Sequence, residues 1–247
     1  MRDALREDTS PRVTSERRAF EALLDTWAAQ FEVATMLEGP IDGVDGPAGV
    51  HGVPLARRGV KVVAAVPSEA HAANVREIYA REAASADVVV TGTSEDAIAQ
   101  LPRCDMVVSY EALGHVPDWR QYLADLAKLA RTVMVVVVRN PDHWSVKAAD
   151  AVARLRGERG ARNRGARETW RTELLAPELW NFGRVRTHEY FAGEALVDDL
   201  AATLAVHPLL AKLVPKVHKR TSSLHALVVD MRPRTPRERR RLAQVDR

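Results

Sequence analysis

Residues 33–59 read VATMLEGPIDGVDGPAGVHGVPLARRG, in which an apolar run meets a glycine-rich loop and then a helix. The run at 33–37 predicts a short buried strand, and residues 38–40 end it. The glycines of the loop are Gly39, Gly43, Gly46 and Gly49, in a chain with 13 glycines among 247 residues. The apolar residues at 50–56 then predict a helix that stops at Gly59.

This order of elements predicts a ligand-binding loop. In an open α/β sheet, a strand followed by a glycine loop and a helix brings backbone N–H groups close to a ligand. Asp42 and Asp45 are the only charged residues of the loop at 39–49. The alternative is a plain βα turn in which the glycines serve only to reverse the chain.

The composition indicates one large α/β domain or two small domains. Hydrophobic residues make up 46% of the 247-residue chain, which is enough for an ordinary core. Cys104 is the only cysteine, which excludes an intramolecular disulfide and favours a reducing compartment. No segment approaches the ~20 apolar residues of a membrane span, and no secretory signal is recognisable at the N-terminus. We therefore expect a cytoplasmic protein without a transmembrane segment.

Arginine is concentrated in two segments, although 36 basic residues nearly balance 33 acidic ones overall. Residues 156–167 read RGERGARNRGAR, and residues 232–247 read RPRTPRERRRLAQVDR. Runs of this kind are usually solvated loops or tails, and attraction to phosphate or to an acidic protein partner is the alternative. No aromatic residues are interleaved for stacking on bases, which argues against nucleic acid.

Apolar runs recur along the chain at the spacing of strands separated by helices. The predicted strands are 33–37, 60–66, 87–91, 105–110, 132–138, 184–191 and 222–231. This alternation predicts a Rossmann-like, doubly wound α/β fold, in which a mostly parallel sheet of about seven strands has helices on both faces. The last two strands are expected to be antiparallel at one edge.

The helices are predicted from apolar spacing and from their capping residues. Residues 1–14 are charged and aperiodic and are expected to be loose, whereas 15–31 have the apolar stripe of a helix that packs on the sheet. Ser68 is the predicted cap of a helix at 69–84. Its predicted inner face consists of Ala70, Ala73, Ile78 and Tyr79. Asp118, with Gln121 three residues later, predicts another helix start.

The later part of the chain is less regular. Helices are predicted at 144–155, at 170–180 with an interruption at Pro177, and at 195–213. We expect an N-terminal tail and helix at 1–32 and a basic tail at 232–247. Between them, a domain at 33–231 contains a helical lid or insertion around 144–217. The apolar residues at 196–217 can cover an apolar or lipid-like ligand, or they are simply packed core.

In this order and spacing, residues 33–140 resemble the class I S-adenosylmethionine-dependent methyltransferases, particularly their small-molecule branch, with a continuation to residue 231. Leu37-Glu38-Gly39 and the glycines to Gly49 stand where the family has an acid and a glycine loop, and PLARRG follows at 54–59. HVPD at 115–118 follows the fourth strand, as it often does in the family. The resemblance implies S-adenosyl-L-methionine as cofactor and a small-molecule methyl acceptor.

The resemblance also implies roles for the polar residues at the strand ends. Those expected near the methionine part of the cofactor are Glu38, Gly39, Gly43, Gly46 and Gly49. Those expected near the ribose and the adenine are Ser68, Thr93, Ser94 and Glu95. Tyr110 and Glu111 are expected at its reactive end.

The sequence departs from the family pattern at two places. The acidic residue that holds the ribose at the end of the second strand is matched here by Val66 or Pro67, and the first loop is longer than usual. Losing a ribose acceptor costs about 1 to 3 kcal/mol of binding. The sequence is therefore also compatible with an inactive protein of this fold that serves as a scaffold or regulatory subunit, bound through its basic tail or N-terminal helix.

His115 is the predicted catalytic residue, as a base for an acceptor that must lose a proton. The alternative is a loop histidine that fixes the turn before Pro117. His188, Glu189 and Tyr190 lie on a predicted edge strand and face either solvent or substrate. The histidines show no metal-ligand spacing, so no metal site is predicted. An NAD-dependent oxidoreductase ranks last because the chain lacks a compact G-x-G-x-x-G.

Overall fold

The computed structural model describes residues 11–39, 49–91, 98, 100–113, 116–140, 172–190 and 224–233. The predictions for 144–155, 156–167 and 195–213 lie outside these residues, as does most of the basic tail. The described residues form a seven-stranded sheet with helices packed on both faces. None of the helices in this part of the chain is long and apolar enough to cross a bilayer.

All seven predicted strands are present, and none of their ends is shifted by more than two residues. They are β1 Thr35–Glu38, β2 Lys61–Val66, β3 Ala86–Val90, β4 Cys104–Tyr110, β5 Ala130–Arg139, β6 Arg184–Tyr190 and β7 Leu224–Asp230. Their spatial order is β3-β2-β1-β4-β5-β7-β6. The first five pair in parallel, and β7 is antiparallel to both β5 and β6. The predicted Rossmann-like sheet with an antiparallel edge is therefore confirmed.

The described helices are α1 Pro11–Gln30, α2 Val53–Arg57, α3 Glu69–Arg81, α4 Trp119–Leu129 and α5 Thr172–Trp180. The prediction that residues up to 14 are loose is wrong from Pro11 onward, because the helix already begins there. Proline favours the first turn of a helix, where its missing N–H has no partner to lose. The structure confirms Asp118 as the cap of α4, since its carboxylate accepts the N–H groups of Arg120 and Gln121.

One face of the sheet is covered by α1, α2 and α3. The apolar stripe of α1, with Phe20, Leu24 and Trp27 at its centre, is buried against this face together with residues of β1, β2, β4, β5 and β7. Phe20 and Leu24 are completely buried, and Trp27 is 1% exposed. The predicted packing of the N-terminal helix on the sheet is confirmed.

The opposite face of the sheet is covered by α4 and α5. Tyr122, Leu123 and Leu126 of α4 pack here with apolar residues of β1, β4 and β5. Leu175 and Leu179 of α5 pack over the β7 edge of the same face. Because both faces are covered, the central strands are apolar along nearly their whole length.

Two details of the helix predictions are wrong. Ala70 and Ala73 are exposed, and the inner face of α3 consists of Ala72, Val75, Ile78 and Tyr79. Because alanine is small and only weakly apolar, its positions do not indicate which side of a helix is buried. The larger Val75 determines which side of α3 faces the sheet. Helix α5 is also not interrupted at Pro177 but continues through it. Burial of Leu175 and Leu179 on either side offsets the single hydrogen bond that proline removes.

A cluster of ion pairs lies at the carboxyl end of β7, on the side of the sheet where the parallel strands begin. The carboxylate of Asp230 accepts a hydrogen bond from Arg184 of β6 at 2.6 Å and a bidentate pair from Arg232 at 2.9 Å. The Arg232 guanidinium also lies 4.8 Å from the ring of Phe31, just beyond α1. The first residue of the predicted basic tail is therefore bound to the folded domain.

Candidate functional site

Glu38 is the last residue of β1 and is the centre of the candidate site. It ends an apolar strand that is buried between β2 and β4, and its side chain is only 4% exposed. Its carboxylate accepts the backbone N–H groups of Gly49 at 3.0 Å, His51 at 3.1 Å and Gly52 at 3.3 Å. A buried carboxylate is stable only when its oxygens are hydrogen-bonded. Glu38 thus holds the returning end of the glycine loop against the sheet.

Gly49 must be a glycine for two reasons. Its φ is +89°, and a Cβ atom there would lie 2.8 Å from the Cβ of Ala64 on β2. The left-handed backbone and the close approach to β2 both exclude a side chain. The Tyr79 hydroxyl of α3 donates to the Gly49 carbonyl at 3.0 Å. Burial, reinforced by the charges of Glu38 and Glu21, raises the pKa of Tyr79, so this donor stays protonated.

Gly39 lies where β1 leaves the sheet. Its N–H donates to the Val108 carbonyl of β4 at 2.8 Å. A Cβ atom on Gly39 would lie 3.1 Å from the hydroxyl of Tyr122 and 3.1 Å from that same carbonyl. Tyr122 is fixed from α4 by a 3.2 Å hydrogen bond with Ser109, and burial raises its pKa to about 12. The backbone at Gly39 therefore lies so close to β4 and α4 that a Cβ atom would require its neighbours to shift.

Three rings meet beside Glu38. The His51 imidazole is 2.7 Å from a Glu38 oxygen through Nδ1 and stacks on Tyr110, the last residue of β4, with centroids 4.3 Å apart. Phe20 of α1 contacts both rings, with centroid distances of 5.2 Å to His51 and 4.9 Å to Tyr110. The His51 imidazole thus contacts the ends of β1 and β4 and the middle of α1.

A second acidic side chain, Glu21, lies near the three rings. Glu21 of α1 lies close enough to interact electrostatically with His51 and with Glu38. Burial raises the pKa of Glu21, and electrostatic interactions with His51, Arg17 and Arg18 act in the opposite direction. A carboxyl group at this position makes the surroundings of Glu38 more favourable for a cationic ligand group.

Glu111 directly follows β4 in a strained conformation. It is 8% exposed, its φ is +49°, and its N–H donates to the Val137 carbonyl of β5 at 2.9 Å. Residues other than glycine rarely adopt a positive φ, and such strain is concentrated at functional sites. Tyr110 and Glu111 both lie at the carboxyl edge of the sheet, where the family resemblance implies the reactive end of the cofactor.

The end of β2 differs from the pattern of the family that the sequence resembles. The Val66 side chain is completely buried, and its carbonyl accepts the N–H of Thr91 at 2.9 Å. The hydroxyl of Ser68 caps α3 by accepting from His71 N–H and is 2.7 Å from the His71 ring. The carboxylate of Glu69 is 78% exposed and pairs with Arg76. In the described part of the chain, β2 is therefore not followed by a buried acid.

The structure brings together Glu38, Gly39, Gly49 and Tyr110 of the predicted site at the carboxyl ends of β1 and β4, with Glu111 adjoining Tyr110. Ser68 lies at the end of β2 and is used in a cap. The remaining predicted residues, Gly43, Gly46, Thr93, Ser94, Glu95 and His115, lie outside the described residues. Among the residues that the structure describes, no three acidic, histidine or cysteine side chains form a metal-binding group.

His51, Tyr79 and Phe20 also contact this site, although they are not among the predicted site residues. His51 carries a local signal, because it follows the last loop glycine by two residues and precedes α2. From the sequence, Tyr79 and the apolar stripe at 15–31, which includes Phe20, are predicted only to face the interior of the domain. Their contacts with the loop depend on how α1 and α3 dock on the sheet, which no short-range pattern indicates.

The chain is similar in structure to solved methyltransferases. Magnesium protoporphyrin IX methyltransferase from Synechocystis PCC 6803, with bound S-adenosylhomocysteine (SAH), matches with a TM-score of 0.56 at 15% identity, over 94% of this chain and 92% of its own. The plantazolicin methyltransferase BamL, in complex with a triazolic substrate analogue and SAH, matches with a TM-score of 0.55 at 12% identity, covering 91% and 87% of the two chains.

A third similar structure is the N-methyltransferase NodS from Bradyrhizobium japonicum WM9 in complex with SAH. It has a TM-score of 0.52 at 13% identity, covering 92% of this chain and 90% of its own. No protein-family model matches the sequence, and no curated protein matches it. Together with the strand order, these similarities show that the chain has the class I methyltransferase fold.

Proposed function

We propose that the protein is an S-adenosylmethionine-dependent methyltransferase that acts on a small-molecule acceptor. The observation that carries the proposal is the arrangement at the end of β1, where the buried Glu38 carboxylate anchors the loop that returns at Gly49. Ligands of open α/β sheets bind outside the carboxyl ends of the strands. The similar methyltransferases crystallised with SAH support the same cofactor for this chain.

Methyl transfer from a sulfonium is a displacement that mainly requires alignment of acceptor and donor. Glu38, Gly39 and Gly49 are proposed to border the methionine part of the cofactor, together with Gly43 and Gly46. Ser68, Thr93, Ser94 and Glu95 are proposed near its nucleoside, and Tyr110 and Glu111 at the transferred methyl group. An acceptor that loses a proton also requires a base, and His115 remains the proposed residue for that step.

Calorimetric titration with S-adenosyl-L-methionine and with SAH tests the cofactor assignment. We expect saturable binding of both ligands and no binding of NADH under the same conditions. Absence of binding of either adenosyl ligand up to millimolar concentration contradicts the proposal.

We propose an apolar or lipid-like compound as the methyl acceptor, since the segment at 196–217 of the predicted lid is rich in apolar residues. Release of SAH from S-adenosyl-L-methionine can be followed while fractions of small molecules, separated by polarity, are added. Turnover confined to the apolar fractions is the expected result. Turnover that requires added protein or nucleic acid contradicts this choice of acceptor.

A second candidate function is supported by the end of β2, where Val66 is buried and a ribose-binding acid is missing from the described residues. In this alternative, the protein is an inactive scaffold or regulatory subunit that binds a partner through its basic tail. Because Arg232 is bound to Asp230, deletion of residues 234–247 tests the tail without disturbing the fold. Loss of a stoichiometric partner in this deletion supports the scaffold, whereas turnover by the isolated protein rejects it.

A further inference from the structure

The carboxylate of Glu38 has no acceptor position left for another donor. An ionised carboxylate accepts hydrogen bonds at about four positions, two on each oxygen. Oε1 of Glu38 accepts from the Gly49 N–H at 3.0 Å and lies 2.7 Å from Nδ1 of His51. Oε2 accepts from the N–H groups of His51 at 3.1 Å and Gly52 at 3.3 Å. Any further donor must therefore replace one of these four.

The four donors differ in how easily they can be replaced. Three are backbone N–H groups of the turn at 49–52, which is packed too closely against β2 to move. A Cβ atom on Gly52 would lie 2.7 Å from Val62, and one on Gly49 would lie 2.8 Å from Ala64. The fourth donor is the imidazole of His51, a side chain that is 13% exposed and can turn about its own bonds. The imidazole is therefore the donor that a ligand can displace.

The His51 imidazole is a donor in this contact because an ionised carboxylate can only accept. Nδ1 must carry the hydrogen that points to Oε1 of Glu38. A primary ammonium offers the same kind of N–H donor with a full positive charge, and charge-assisted hydrogen bonds are the stronger ones. An ammonium group beside Oε1 of Glu38 would thus compete with the His51 imidazole for the same acceptor position.

We propose that His51 is a built-in competitor for the α-ammonium group of the adenosyl ligand at Glu38. This inference rests on the proposed function, which places the amino-acid part of the cofactor at the end of β1. Binding breaks the hydrogen bond between His51 and Glu38 and replaces it with an ammonium–carboxylate pair. The exchange lowers the affinity for the ligand, because the imidazole must first give up both this bond and its stacking on Tyr110.

Comparison of two ligands in one variant tests the proposal. The first ligand is SAH, and the second is its desamino analogue, which keeps the nucleoside, the thioether and the carboxylate but lacks the ammonium group. The variant His51→Phe keeps a ring between Phe20 and Tyr110 but has no N–H for Glu38. By calorimetry we expect His51→Phe to bind SAH about tenfold more tightly than the unmodified protein, the equivalent of one ordinary hydrogen bond. The affinity for the desamino analogue should not change.

Two further variants serve as controls. Phe20→Leu perturbs the same ring cluster and leaves the hydrogen bond between His51 and Glu38 in place, so it should not gain affinity for SAH. His51→Ala should show the same ligand-selective gain as His51→Phe if the phenylalanine ring does not fit. Thermal unfolding of each variant without ligand confirms that it is folded.

The outcomes separate this inference from the proposed function. Weaker or unchanged binding of SAH by folded His51→Phe and His51→Ala overturns the competitor role, while binding by the unmodified protein still supports the cofactor assignment. An equal gain for both ligands also overturns it, because the effect then does not involve the ammonium group. If the unmodified protein and the two His51 variants bind neither SAH nor its desamino analogue, the proposed function itself fails, and the inference fails with it.

Discussion

Single residues determine the shape of the turn at the end of β1, and two glycines allow that effect to be measured. Gly49 and Gly59 have nearly the same left-handed backbone, with φ values of +89° and +88°. A Cβ atom on Gly49 would clash with Ala64, whereas one on Gly59 would meet nothing within 4 Å. The pair therefore separates backbone strain from steric exclusion within one protein.

We expect Gly49→Ala to destabilise the protein by about 2 to 4 kcal/mol, since a positive φ and overpacking each cost roughly 1 to 2 kcal/mol. Gly59→Ala, the matched control, should cost about 1 kcal/mol because only the strain applies. Urea unfolding of both variants measures the difference. Equal losses in the two variants would show that the approach to Ala64 is not tight in solution.

Glu21 gives a prediction about pH. Burial raises its pKa above the ordinary value of 4.5, although His51 and Arg17 oppose the shift. Because the folded state holds the proton more tightly than the unfolded state, this group destabilises the fold as the pH rises from below 4.5 through the raised pKa. Glu21→Gln should therefore be more stable than the unmodified protein at pH 7, and the two should converge in acid. Thermal unfolding between pH 4 and 7 tests this, and a less stable variant at pH 7 contradicts it.

At the scale of elements, the antiparallel pairing of β6 and β7 depends on side-chain contacts near the amino end of β6 and the carboxyl end of β7. Asp230 ends β7, and its carboxylate joins that strand to Arg184 of β6 and to Arg232. Gly183 allows the approach of the two strands, since a Cβ atom there would overlap the Asp230 carbonyl oxygen. The backbone pairing of β6 with β7 and the ion pair between Arg184 and Asp230 therefore both stabilise the position of β6 in the sheet.

Asp230→Asn should lower the stability at pH 7 by about 2 kcal/mol, since hydrogen bonds to a charged group contribute about 1.5 to 3 kcal/mol. Burial alone would raise the pKa of Asp230, but the hydrogen bonds from Arg232 and the charge of Arg184 lower it below the ordinary 3.8. The stabilisation is therefore present above pH 3.8 and is lost as the pH falls through the lowered pKa.

Urea unfolding at pH 7 and near pH 3 checks this prediction, and the two proteins should differ less in acid. Asp125→Asn is a suitable control. Its pKa is also lowered, through Lys128 and Gln121 and against the effect of burial. Because Lys128 is 70% exposed, this pair should contribute only about 0.5 kcal/mol. A loss in Asp125→Asn as large as that in Asp230→Asn would argue against a special role for the β7 cluster.

At the scale of the whole molecule, α1 belongs to the core of the domain. Its apolar residues pack with those of five strands, so the predicted separation of residues 1–32 from 33–231 does not mark a break in the core. We expect a protein that lacks residues 1–32 to remain unfolded, because one face of the sheet would be exposed. A cooperative unfolding transition in the truncated protein would contradict this.

Trp27→Ala tests the same core by a single change. Trp27 is 1% exposed, and truncation of a buried tryptophan costs about 3 to 5 kcal/mol. Trp180 of α5 is 44% exposed, so Trp180→Ala is the control and should cost about 1 kcal/mol or less. Urea unfolding of the two variants shows whether α1 contributes as much to stability as its burial indicates.

Most of the fold can be predicted from the sequence because the strands are buried on both faces. Such strands appear as continuous apolar runs, and residues 132–138, TVMVVVV, are the clearest example. The inner face of α3 could not be predicted correctly, because Ala70, Ala72 and Ala73 are equally small and apolar. Of the candidate site, the sequence indicates from their order after a strand that Glu38, Gly39 and Gly49 lie at one turn, but it does not indicate the contacts of His51.

Short-range sequence patterns are sufficient to specify which of the described segments are strands and helices, and that an acid and a glycine loop follow the first strand. These features depend on neighbouring residues and on the exclusion of apolar side chains from water. The three-dimensional packing is needed to show that β4 adjoins β1, that Tyr79 donates to Gly49, and that His51 binds Glu38 while stacking on Tyr110. Contacts between residues far apart in the chain depend on how whole elements dock, and no local pattern specifies that geometry.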